Sequence, residues 1–150
     1  MSWRAVRAMA VAACVALPAC SSNSNQLSGS LGDIYDLSFN SVTIVLQGKS
    51  VSIQYVGSGV DPAVLIVDLT NIVNVAGSSI DLTQQVNGQP RGALQRVGTT
   101  TTDLPIKDGT VVFDQVPQVG QNLSGNFHTT LSNPEGYTLN GQFAANVTSP

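Results

Sequence analysis

Two segments near the C-terminus alternate residue by residue: LSGNFHTTL (123–131) and YTLNGQFAANV (137–147). Side chains on a strand point to opposite faces with a period of two. Leu123, Gly125, Phe127, Thr129 and Leu131 therefore share one face, and Tyr137, Leu139, Gly141, Phe143, Ala145 and Val147 share the matching face of the second segment. SNPEG between them has turn chemistry. An antiparallel hairpin follows, with a register that can be written down. If Leu131 lies opposite Tyr137, then Phe127 faces Gly141 and Gly125 faces Phe143. A ring over a strand glycine supplies the packing the glycine lacks and pins the register. Strand alternation thus accounts for the repeated L-x-G-x-F at 123–127 and 139–143.

The same period runs through much of the chain. YDLSFNSVTIVLQ (35–47) reads as one long strand, with Val42, Ile44 and Leu46 on one face and Leu37, Phe39 and Val45 on the other. Gly48 and Lys49 mark a turn. Val51, Ile53 and Tyr55 then alternate with Ser50, Ser52 and Gln54, so residues 31–56 propose a hairpin. AVLIVDL (63–69) is apolar on both faces. Asp61-Pro62 could start a helix there, but Val64, Ile66 and Val67 favour a central strand. Residues 70–91 read as a loop with short strands at Ile72–Val75 and Ile80–Leu82 and a turn at VNGQP. Ala93–Val97 and Thr110–Phe113 are further strands, with Asp108-Gly109 as a turn before the latter. The expectation is a single all-β domain over residues 33–150. Its favoured form is an antiparallel two-sheet β-sandwich of about seven or eight strands, and its alternative a lipocalin-like β-barrel.

The N-terminus has a different grammar. Met1–Arg7 is basic, with Arg4 and Arg7, and is followed by the ten-residue apolar run AMAVAACVAL. That length suits a secretory signal and falls short of a membrane span. The run ends in Leu17, Pro18, Ala19, Cys20. Here the chain resembles a bacterial lipoprotein precursor, whose signal closes on a box with Leu first, a small residue third and Cys fourth. Pro18 departs from the small or aliphatic residue usual at the second place. The resemblance implies that residues 1–19 are a signal peptide, that Cys20 receives a diacylglycerol, and that cleavage before Cys20 frees an amine for further acylation. A thiolate is a suitable nucleophile for that attachment, and two or three chains hold where one holds only marginally. Residues 20–32 then form a lipidated cysteine and a flexible Ser/Asn/Gly-rich tether. By the sorting pattern of such lipoproteins, Ser21 points to the outer rather than the inner membrane.

The mature chain, Cys20 to Pro150, keeps four basic and nine acidic residues, a formal charge of −5. Nucleic acid, which needs a basic footprint, is excluded as a partner. With Cys14 removed and Cys20 acylated, no disulfide forms within the mature chain. His128, the only histidine, lies on the polar face with Asn126 and Thr130. One histidine and scattered acids do not make a zinc site. Asp33 with Asp36, or Asp103 with Asp108, could offer part of a calcium site, but these read as solvated turn residues. Arg91 and Arg96 could clamp an anion, though surface solubility is the simpler reading. No catalytic, metal or cofactor-binding residue is therefore expected. The functional expectation is a non-catalytic envelope lipoprotein, held to a bacterial membrane by its lipid and acting through an envelope protein partner or assembly. Small-ligand binding in a barrel or between sheets is the alternative, and an envelope hydrolase a distant third.

Overall fold

A computed structural model describes residues 24–150. The expected signal peptide and the Leu17-Pro18-Ala19-Cys20 box lie outside the described residues. The strands, in chain order, are β1 (Gln26–Ser28), β2 (Ser41–Gln47), β3 (Ser50–Val56), β4 (Asp61–Asp68), β5 (Ser79–Asp81) and β6 (Gln85–Val86), then β7 (Gln89–Pro90), β8 (Gly92–Val97), β9 (Thr101–Asp103), β10 (Ile106–Phe113), β11 (Asn122–Leu131) and β12 (Thr138–Thr148). One 3-10 turn, Ser30–Asp33, follows β1. Ten strands form one sheet in the order β5-β10-β11-β12-β2-β3-β4-β8-β9, with β1 also on β12; β6 and β7 make a separate hairpin.

The protein is all-β, as expected, with a large mixed sheet that is not closed into a barrel. Two separate antiparallel sheets were expected; the strands form one mixed sheet, because β12 runs parallel to β2 through Val147–Ile44 and Thr148–Val45. The barrel is not formed: β5 and β9 end the sheet without pairing to each other.

The C-terminal hairpin has the register written from the sequence, Phe127 opposite Gly141 and Gly125 opposite Phe143. The glycines are steric requirements. A Cβ on Gly141 would lie 2.1 Å from Phe127 Cε1, and one on Gly125 2.6 Å from Phe143 Cζ. Strands β2 and β3 pair across the expected turn, where Gly48 takes a φ of 61°. A positive φ at the first position of a two-residue hairpin loop favours glycine. Val51, Ile53 and Tyr55 are buried while their neighbours on β3 are only partly covered. β4 lies between β3 and β8 and is buried on both faces, the central strand its composition implied.

Inward residues from both halves of the sheet join one core, with Ile44, Ile53 and Leu65 from one half and Phe113, Leu123 and Phe143 from the other. Tyr55 links the halves. Its hydroxyl donates to Gln142 O on β12 at 2.7 Å. Its ring meets Phe39 and Phe127 edge-on, with centroids 5.0 and 6.2 Å away. Burial pushes the phenol pKa far above its usual 10.

Four local expectations are corrected. Residues 35–40 are not strand: Asp36 accepts the Ser38 N–H at 2.9 Å, an Asx-turn that bends the chain. Tyr35, Leu37 and Phe39 nevertheless pack against the core. The tether drawn to residue 32 is folded from Gln26 onward. β1 pairs Gln26–Ser28 with Gln142–Asn140, and Leu31 is 1% exposed. Polar composition hid two apolar anchors there, the half-buried Leu27 and the buried Leu31. Ile72–Val75 is loop, with one bridge at Ala76 to Phe113, whereas the strand expected near Ile80 is β5. Finally, Asp108-Gly109 is not a turn but part of β10, past a bulge at Lys107. Gly109 is needed for close approach, since a Cβ would lie 2.8 Å from His128 O.

Candidate functional site

The sheet comes nearest to closing where β8 approaches β10. One buried residue spans that seam. The Leu82 N–H donates to Gly109 O at 2.9 Å, and Leu82 O accepts the Gly92 N–H at 2.7 Å. Gly92 allows this contact, because a Cβ there would sit 2.7 Å from the Leu82 side chain. Past the bridge no ladder joins β8 to β10. A groove of about 500 Å³ remains, lined by Pro90, Ala93, Leu94, Leu104, Pro105 and Ile106. Its floor is apolar, since Leu94 and Leu104 are buried. The Leu104 N–H donates to Leu94 O and the Ser132 N–H to Pro105 O, which fixes the linker between β9 and β10.

β9 borders this groove. It pairs with β8 on one side only, and all three of its residues are exposed. Unpaired strand edges recruit extended segments through main-chain hydrogen bonds, and nearby pockets select their side chains.

The residues singled out in the sequence do not converge. His128 is exposed, its Nδ1–H meeting Asn140 Oδ1 across the β11–β12 ladder. It stands on a polar patch with Gln26, Asn126 and Gln142. Arg91, expected at the surface, is 4% exposed. Its guanidinium donates to Asp68 O, to Thr70 O at 3.0 Å and to Gln84 Oε1 at 3.2 Å, stitching two loops together. Arg96 stacks on Tyr35 with 4.7 Å between guanidinium carbon and ring centroid. The two arginines therefore form no shared clamp.

Four of the acids are engaged by local structure. Asp36, Asp68 and Asp81 each face the hydroxyl and accept the backbone N–H of the residue two ahead, Ser38, Thr70 and Thr83, and the hydroxyl first and the N–H second hold each pKa below the ordinary 3.8. Asp103 accepts from Gln95 Nε2 at 2.9 Å. Among the described residues, no group of three or more His, Cys, Asp or Glu could hold a metal ion.

The seam itself was not foreseen. Its available signal was L-P-I at 104–106, two apolar residues around a proline that cannot donate to a ladder. Compared with known proteins, the chain matches no family model, no curated protein and no solved structure.

Proposed function

We propose that this chain is a lipid-anchored, non-catalytic protein of the bacterial cell envelope that acts by binding another protein along the open β9 edge. We read the two halves of its sheet as the layers of a β-sandwich left open at one seam. The observation that carries the binding role is the pairing of an exposed strand edge with an apolar-floored groove. An extended partner segment would add to β9 and place side chains over Leu94 and Leu104. The anchor rests on the Leu17-Pro18-Ala19-Cys20 box; Ser21 favours the outer membrane.

Photo-crosslinking in intact cells tests the binding role, with the reactive group at Thr102 on β9 or at His128 on the polar face. The expected result is a discrete protein adduct from position 102 and none from 128. Ala93→Arg, an exposed change at the groove wall, should abolish the adduct without loss of protein. Equal adducts from both positions, or none from 102, would overturn the reading. The groove volume also fits the range of small-molecule sites. A small molecule that copurifies with the wild type and is lost in Ala93→Arg would move the assignment to ligand binding.

A further inference from the structure

We infer that the end of the domain from which the N-terminus emerges is a lipid-contacting surface, with Val73, Val116 and Val119 meeting the bilayer. The inference rests on the proposed acylation of Cys20. It starts from where the folded chain begins. The Ala144 N–H donates to Asn25 Oδ1 at 2.6 Å, so the domain is secured to β12 at Asn25. Only residues 21–24 separate Cys20 from that point. At about 3.5 Å per residue, such a leash spans at most roughly 18 Å. An anchor this short keeps that end of the domain at the membrane surface.

Pairing and hydrogen bonds define what else lies at that end. β1 is antiparallel to β12, so its start lies toward the β12 C-terminus. β12 ends beside the end of β2, through Thr148–Val45, and beside the start of β11, through Asn122–Asn146. The 114–121 loop is tied there: Gly120 N–H donates to Val147 O, and Val147 N–H to Gln121 O, both at 2.8 Å. The 69–78 loop joins them. Gly77 N–H donates to Phe113 O at 2.7 Å, and Leu69 N–H to Lys49 O at 2.8 Å.

These two loops carry three of the four large exposed apolar side chains of the described residues: Val73 at 95%, Val116 at 51% and Val119 at 55%. The fourth, Ile34 at 50%, lies at the other end. It follows the turn whose Gly29 packs against Thr138, the first residue of β12. The charges at the anchored end are mostly engaged. Asp114 accepts from Ser124 Oγ at 2.6 Å, Asp68 accepts from the Thr70 N–H, Asp81 accepts from Thr83, the buried Arg91 donates to the Asp68 and Thr70 carbonyls beside Val73, and Lys49 occupies the β2–β3 turn. An apolar, weakly charged surface suits a neutral lipid headgroup layer. The lipid supplies the affinity, and the valines set the orientation by dipping into the interface.

The test uses the full chain, expressed in a bacterium that acylates lipoproteins. With Cys20 acylated and Cys14 removed, Val116→Cys or Val119→Cys introduces a unique thiol. Each is labelled with an environment-sensitive fluorophore and reconstituted into phosphatidylcholine vesicles containing spin-labelled lipid. Ile34→Cys serves as the control. Intact mass first reads acylation. The expected result is acylated protein whose quenching at 116 and 119 exceeds that at 34 by about threefold or more. Equal quenching in acylated protein overturns the orientation and leaves the anchor standing. A mass without lipid on Cys20 overturns both. Burial of the probes in native membranes but not in protein-free vesicles gives the surface to a protein and overturns the lipid assignment.

Discussion

The β11–β12 hairpin and the crossover from Leu69 to Gly92 are held by different kinds of contact. In the hairpin each inward residue faces a partner fixed by period-two alternation, down to Phe127 over Gly141 and Phe143 beside Gly125. In the crossover the stabilising contacts run from side chain to distant main chain, as from Arg91 to Asp68 O and Thr70 O. Within the same crossover a single residue bridges two strands, as Leu82 does between Gly92 and Gly109. Periodicity encodes the first kind of contact and carries no trace of the second.

The sharpest challenge to this contrast is Phe143→Ala. The ring is buried, rests edge-on against Phe113 with centroids 5.8 Å apart, and covers Gly125. A loss of about 4 kcal/mol is expected in denaturant titration. A loss under about 1 kcal/mol would mean the hairpin register does not depend on the ring.

Next in size is Leu82→Ala, with an expected loss of about 3 kcal/mol. Amide exchange should rise first at Gly92 and around Gly109, while β11 and β12 stay protected. A uniform rise across the sheet would erase the distinction, because the crossover would then belong to the same cooperative unit.

Arg91→Met should cost about 2 kcal/mol, since it leaves two carbonyls without their donor while keeping most of the side-chain volume. Its exchange signature should be confined to residues 68–72 and 84–91. Asn87→Ala is smaller. Asn87 takes a φ of 50° in the turn between β6 and β7, and alanine there should cost about 1 kcal/mol of stability by thermal melt.

The smallest effect is an acid one. Asp68 and Asp81 have folded-state pKa values held below 3.8 by the hydroxyls, and then the N–H groups, of Thr70 and Thr83. The unfolded chain therefore takes up their protons first as pH falls. The stability they contribute is complete above about pH 5 and is lost as pH drops through the folded-state values. A double Asp68→Asn, Asp81→Asn variant should show a flatter stability curve below about pH 4 than the parent. An unchanged slope would show that these turns add nothing to the crossover.

Legibility in the sequence followed this same division. The strands β3, β4, β8, β11 and β12 announce themselves through alternation or continuous apolar runs. β1 does not, because a three-residue strand in a Ser/Asn-rich stretch has only Leu27 to show which face is buried. Gly109 looked like a turn because Asp-Gly commonly makes one; only its proximity to the His128 carbonyl shows why a glycine belongs inside a strand. Arg91 looked exposed because an isolated cation usually is, and its carbonyl acceptors lie 21 and 23 residues earlier in the chain. The groove beside β9 has no motif at all. It exists because two strand edges fail to meet, and edges are a property of topology rather than of any short segment.

The placement of β12 also governs time. This last strand of the described chain pairs with β11, with β1 more than a hundred residues earlier, and in parallel with β2. Sheets dominated by such distant pairings fold in roughly milliseconds to seconds, because loop closure must precede the contacts that reward it. A chain delivered N-terminus first must hold β1 and β2 without their β12 partner until residue 148 has emerged. Assembly of this sheet is therefore a late event, and before it the N-terminal strands are exposed to whatever else can pair with an open edge.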